Sequence, residues 1–176
     1  MLSVTLYVAT SLDGYIADKN GGVDWLPDPS EELLEAVGHQ QFMNSIDFIV
    51  MGSRSFKKTL SFGEWAWPNK RTIVFSKHSP LPSELIEGVE FFDESPSIFM
   101  RNLGESESNK KVWLFGGAEL VKSFAEEGLI DECIITVVPS KIGEGIFLDL
   151  PYDHFQLIEE KDCGEGIIQK RYVSVS

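Results

Sequence analysis

Three scarcities bound what this chain can be. Cysteine occurs twice in 176 residues, at Cys133 and Cys163, without CxxC spacing, and the three histidines, His39, His78 and His154, are dispersed. That distribution supports neither a disulfide framework nor a metal centre. Long apolar runs are missing too: none approaches the roughly 18 residues needed to cross a bilayer. The apolar start from Met1 to Thr10 is too short and too uncharged for a signal peptide. The chain is therefore expected to be mature from its first residue, cytoplasmic, and without a membrane partner. Positive charge is the third shortage, with 15 Lys and Arg against 28 Asp and Glu, a formal charge of −13. Such a field repels polyanions, so nucleic acid is excluded as a general partner.

What is present suits one core. A chain of this length with 43% hydrophobic residues is short for two cores, so residues 1–176 are expected to form a single domain. No internal repeat, low-complexity tract or linker interrupts them. Positive charge is concentrated: Arg54 to His78 holds Arg54, Lys57, Lys58, Lys70, Arg71 and Lys77 against one acid, Glu64. That is +5 over 25 residues, leaving −18 for the rest of the chain. A local site for an anionic, phosphate-bearing ligand is the economical reading.

Periodicity predicts strands over Leu2 to Ala9, Asp47 to Gly52, Arg71 to Ser76, Val89 to Phe92, Lys111 to Phe115 and Ile130 to Pro139. A terminal hairpin is predicted from Phe155 to Cys163 and Ile167 to Val175. Between them, Asp28, Pro29 and Glu31 read as N-cap, first helical residue and capping box of one amphipathic helix carrying Leu33, Leu34, Val37, Gln41 and Phe42. Further helices are expected over Ser53 to Leu60, after Ser95-Pro96, and after Gly116-Gly117-Ala118 with Leu120, Val121, Phe124 and Ala125 as the apolar stripe. Gly104 to Asn109 reads as a turn and Ser140 to Asp153 as a loop. The class is α/β, a mostly parallel sheet with an antiparallel C-terminal edge.

Two strand-to-helix turns, Gly52-Ser53-Arg54-Ser55 and Gly116-Gly117-Ala118, are placed where parallel sheets bind nucleotides. Glycine lets backbone approach a pyrophosphate, and the helix start behind it supplies unpaired N–H donors. A third turn, Ser76-Lys77, offers a hydroxyl and an ammonium suited to a ribose 2′-phosphate, which favours NADPH over NADH. The G-x-G-x-x-G fingerprint is absent, so a Rossmann domain is not expected.

The order of the pieces resembles the dihydrofolate reductase fold family, closest to the branch that contains the reductase domain of bacterial riboflavin biosynthesis. The residues that carry the likeness are Ser11-Leu12-Asp13-Gly14-Tyr15-Ile16-Ala17, Val50 to Phe56, Leu114 to Leu120, Gly128-Leu129-Ile130-Asp131-Glu132 and Gly143-Glu144-Gly145. The resemblance implies a twisted, mostly parallel sheet of about eight strands flanked by helices, with NADPH across the sheet edge and hydride transfer to a bound heterocycle. It implies that Ala9, Ile16 and Ala17 hold the nicotinamide, that Gly52, Arg54 and Ser55 contact phosphate, and that Ser76 and Lys77 serve the adenosine side. Gly116, Gly117, Ala118 and Glu119 correspond to the pyrophosphate turn.

On the substrate side the likeness to true dihydrofolate reductases breaks. Trp25-Leu26-Pro27 is present, but Pro29 stands where those enzymes carry an acid. Asp28 beside it reads either as that acid or as a helix cap. Asp13 lies close to the cleft by resemblance, where it orients substrate, relays a proton, or shapes the turn before Gly14. Thr136 is a candidate hydroxyl contact to substrate. Trp25, Trp65 and Trp67 read as walls for a flat ring, or the Trp65 to Pro68 segment as part of a homodimer contact, whereas Trp113 reads as core. The expected function is an NADPH-dependent reductase of a small pyrimidine- or pteridine-like substrate, similar to 5-amino-6-(5-phosphoribosylamino)uracil reductase. The alternatives are a dinucleotide-binding module without turnover and dihydrofolate reductase proper.

Overall fold

The apolar runs become strands and the amphipathic stretches between them become helices. The computed structural model describes residues 2–175; Met1, and with it the expectation that the chain is mature from its first residue, and Ser176 lie outside the described residues. In chain order the elements are β1 (Ser3–Thr10), β2 (Tyr15–Ala17), α1 (Glu31–Ala36), α2 (His39–Ser45), β3 (Phe48–Gly52) and α3 (Ser53–Leu60). Then come β4 (Arg71–Phe75), β5 (Val89–Phe92), α4 (Pro96–Ser106), β6 (Lys111–Gly116), α5 (Ala118–Glu126) and β7 (Glu132–Val137). The chain finishes with β8 (Ile146–Phe147), β9 (Phe155–Asp162) and β10 (Ile168–Ser174).

Eight strands form one sheet in the order β5-β4-β3-β6-β1-β7-β10-β9. The first six are parallel, so their carboxyl ends share one edge, while β10 runs antiparallel to both β7 and β9. Central strands are apolar on both faces because helices cover both. Val4, Leu6, Val50, Val112 and Leu114 pack against Phe99 and Leu103 of α4 and Val121 and Phe124 of α5. On the opposite face Ile49, Met51 and Trp113 pack against Phe42 and Met43 of α2, Phe56 of α3, and Trp65 and Trp67. Among the described residues no helix is long and apolar enough to cross a membrane.

Four local expectations need correction. The helix expected to start at Asp28 starts at Glu31, and Ser30 is its cap, its hydroxyl accepting from the Leu33 N–H at 3.1 Å. Serine serves as well as aspartate there, and it lies nearer the first apolar turn. The single helix expected through Phe42 is two, because Gly38 takes φ 67° and ends the first before α2 begins. The helix after Pro96 runs through Gly104 to Ser106 instead of turning at Gly104. Finally, the loop from Ser140 to Asp153 contains β8, which pairs with β2 in a small separate sheet. Strands of two and three residues carry no periodic signal, so tertiary contact alone defines them.

That small sheet closes on Gly145. A Cβ there would lie 2.2 Å from the Ala17 carbonyl oxygen, with φ at 158°. Gly145→Ala must therefore push backbone apart between β2 and β8, with an expected loss of about 2–3 kcal/mol in urea denaturation. Unchanged stability would mean that β2 and β8 are not held together in solution.

Candidate active site

β3 ends at Gly52 and β6 at Gly116, and these strands are neighbours with Met51 opposite Gly116. The helices that follow, α3 and α5, must therefore begin side by side. Their approach is close: a Cβ on Gly52 would lie 3.8 Å from the Gly117 nitrogen and 3.9 Å from the Gly116 oxygen. A Cβ on Gly117 would meet the Ser55 hydroxyl at 3.3 Å. The Gly116–Gly117 peptide is cis, with Gly116 at φ 134°. Thus Gly52, Ser55, Gly116 and Gly117, named separately from sequence, meet at one place, with Ala118 opening α5 beside them.

Capping separates these two helices from α1 and α4. Ser30 and Ser95 cap those with their hydroxyls, whereas α3 and α5 start from Gly52 and Gly117 with no side-chain cap. The first-turn N–H groups of both glycine-started helices thus point outward without a side-chain acceptor, and both helix dipoles present their positive ends. Arg54 on α3 faces Glu119 on α5 at 3.8 Å, each side chain 89% exposed. Two adjacent donor sets with an exposed guanidinium beside them fit the chemistry of a diphosphate. The residues present therefore suit a dinucleotide's central phosphates.

One strand beyond, Ala9 sits opposite Thr136, which in turn faces Gln169 of β10. Gln169 Nε2 donates to Thr136 Oγ1 at 3.2 Å and to the Val37 carbonyl at 3.1 Å, tying the chain before α2 to this sheet face. Ala17 is buried, and Ile16 packs against the core on the α4–α5 side. Trp25, Leu26 and Pro27 lie over Val138, Pro139, Ser140 and Ile167 around a cavity of about 200 Å³. Trp25 Nε1 is buried there without an acceptor among the described residues. A second cavity, about 390 Å³, runs between α2 and the sheet past Tyr7, Gly38 and Gln169. The glycine turns line neither cavity.

Asp13 is held as a brace. Its Oδ1 accepts from the Ser11 hydroxyl at 2.6 Å and the Ile142 N–H at 3.2 Å, and its Oδ2 from the Gly143 N–H at 2.8 Å. The Ser11 hydroxyl, and then the backbone N–H donors against a partial opposing desolvation, hold the carboxyl below its ordinary value of 3.8. It is ionised at neutral pH and joins the turn after β1 to the loop before β8. Asp28 is exposed, outside the helix cap.

The basic stretch disperses in space. Lys70 and Arg71 stand at the opposite, amino edge of the sheet, Lys70 donating to the Ile46 carbonyl and Arg71 pairing with Glu90 and Glu107. Lys57 faces Glu84 at 3.6 Å, and Lys77 donates to the Asp93 carbonyl at 2.9 Å. Ser76 does lie at the carboxyl edge, but its hydroxyl is engaged with the backbone of His78. The expectation of one convergent cationic site is thus replaced by Arg54 over two helix starts. Trp65 and Trp67 pack edge-on against Phe56, Trp113 and Phe115, so they wall the α2–α3 face, and Trp113 is core as expected. Burial pushes the Cys133 thiol up to about 12, which makes it inert. Among the described residues no His, Cys, Asp and Glu group is built to hold a metal ion. Gln169, which positions Thr136, carries no sequence signal because its partners are far away in the chain.

Comparison with known proteins agrees with this architecture. The family model of the RibD C-terminal domain matches residues 3–168. The chain is 37% identical over 143 residues to YwjB, an uncharacterized protein of Bacillus subtilis, covering 80% of this chain and 79% of that one. In structure it is similar to a putative riboflavin biosynthesis protein from Shewanella sp. PV-4, with TM-score 0.80, 26% identity and 99% of each chain covered. It also superimposes on a Thermotoga maritima diaminohydroxyphosphoribosylaminopyrimidine deaminase/5-amino-6-(5-phosphoribosylamino)uracil reductase with TM-score 0.71 and 18% identity, spanning 98% of this chain but 56% of that longer one. The fold is dihydrofolate reductase-like.

The Asp13 brace has a testable sign. A carboxylate held below 3.8 contributes loop order above that pH and loses it as pH falls through the lowered value. The Gly143 amide shift in NMR is expected to titrate with a midpoint below 3.8, and Asp13→Asn is expected to abolish that titration. A midpoint at or above 3.8 contradicts the brace.

Proposed function

This chain belongs to the RibD C-terminal domain family, a family of reductase-like fold, and from that premise we propose that it is an NADPH-dependent reductase of a small pyrimidine- or pteridine-like heterocycle. The observation that carries this reading is the pair of adjacent, uncapped, glycine-started helices at the carboxyl ends of β3 and β6. When bound, the dinucleotide supplies the hydride.

The roles of the chain's own residues follow from position. Backbone N–H groups of Ser53, Arg54, Ser55, Ala118 and Glu119 hold the diphosphate. Arg54 leaves its loose contact with Glu119 for a phosphate, and Glu119 turns to a sugar hydroxyl. Ser76 and Lys77 bind the adenosine end, with the lysine exchanging a carbonyl for a 2′-phosphate, which selects NADPH over NADH. Ala9, Ile16 and Ala17 flank the nicotinamide, and Thr136 with Trp25 bound the heterocycle. Asp13 keeps the loops on both sides of β2 and β8 in register. An exposed Asp28, outside the helix start, speaks against dihydrofolate as the substrate.

Steady NADPH oxidation is expected with a ribosylamino-substituted aminouracil or a simple 7,8-dihydropterin, faster than with dihydrofolate. Arg54→Ala is expected to weaken NADPH binding by about tenfold in a fluorescence titration. Unaltered affinity would remove Arg54 from the site, and NADPH that binds without any heterocycle being reduced would favour a dinucleotide-binding module.

A further inference from the structure

The start of α2 holds a side chain that none of these roles uses. Gly38 in the left-handed conformation turns the chain so that α2 opens with His39 on the sheet face. The carbonyl just before it, of Val37, is pinned to that face by Gln169 Nε2 at 3.1 Å and by the Tyr7 hydroxyl at 3.4 Å. Gln169 also reaches Thr136, the register partner of Ala9. The imidazole stacks along Tyr7, ring centroids 6.4 Å apart and planes 26° from parallel. Tyr7 and Ala9 are two residues apart on one strand and point to one side of it. His39 therefore stands beside the strand position at which the nicotinamide is placed.

Its chemistry is uncommitted. Half-buried, the ring makes no hydrogen bond among the described residues, and burial lowers its pKa below 6.5. A neutral imidazole offers one N–H and one lone pair at neutral pH. Two other polar groups near this face are engaged: Thr136 by Gln169, and Lys161 by the Ala36 carbonyl at 2.5 Å. Amino- and oxo-substituted rings present donors and acceptors side by side, and a hydrogen-bonding group placed to read such an edge discriminates strongly against rings that lack it.

We propose that His39 is the residue that reads the polar edge of the heterocycle, its neutral imidazole donating one hydrogen bond to a ring carbonyl or accepting one from a ring N–H. The assignment rests on the reductase reading and identifies the substrate as a planar ring with an amide-like edge. It places substrate recognition at the start of α2.

The test compares wild type with His39→Leu and His39→Gln, each saturated with NADPH, against 5-amino-6-(5-phosphoribosylamino)uracil, whose opened ribosylamino group offers an imine to hydride, a 7,8-dihydropterin and dihydrofolate. For the ring that is reduced, KM is expected to rise about tenfold in His39→Leu, and to be largely restored in His39→Gln, whose amide keeps a donor and an acceptor. NADPH affinity is expected to stay constant in both variants. Independently of turnover, the His39 Cε1–H resonance of the wild-type protein loaded with NADP+ is expected to shift when that ring is added. An unchanged KM in His39→Leu, an unmoved resonance, or an equal loss of NADPH affinity in both variants overturns the assignment while leaving the reductase reading in place. NADPH binding with no ring bound or reduced removes both.

Discussion

Two parallel strands, β3 and β6, lie side by side and each ends in glycine, and the candidate site follows from that pairing. A parallel sheet aligns the carboxyl ends, so the helices that follow start together and their dipoles point the same way. Glycine at an N-cap costs only a few tenths of a kcal/mol relative to serine, yet it leaves the first-turn amides open to an external acceptor. Each amide bonded to a charged oxygen then contributes about 1.5–3 kcal/mol. A small concession in helix stability thus gives a large gain when an anion arrives. α1 and α4, by contrast, fill that place with the Ser30 and Ser95 hydroxyls.

This economy matters in a molecule of charge −13, whose overall field opposes any phosphate. Backbone donors carry no counter-charge that a neighbouring acid can neutralise, whereas the lysines and arginines of the basic stretch are mostly engaged with Glu84, Glu90, Glu107 or carbonyls. Asp13 extends the same logic to the other end of the site. Its three accepted hydrogen bonds make the carboxylate a tie between two loops, and with Gly145 it sets where β2 lies relative to β1.

The strands and most helices were legible because apolar alternation and Ser-Pro or Gly-Gly starts are local signals: β3, α3, β6 and the terminal hairpin were placed within a residue or two. The glycine turns were legible for the same reason, and their adjacency followed from the resemblance. What stayed hidden depends on contacts distant in sequence. Arg71 looks like a member of the phosphate site until β4 is seen to run away from it, with Arg71 at the wrong edge. Asp28 looked like a cap because Ser30 competes for the same role two residues on. His39 looked like a stray histidine, since only the break at Gly38 and the register of β1, β7 and β10 bring it to Tyr7.

The central claim is that backbone amides at two neighbouring helix starts receive the diphosphate. Titrating NADPH into the isotopically labelled protein and following amide shifts by NMR addresses it directly. The largest changes, saturating together, are expected at Ser53, Arg54, Ser55, Ala118 and Glu119. Saturable binding that leaves both groups of amides unmoved, with changes confined to another part of the surface, would contradict it.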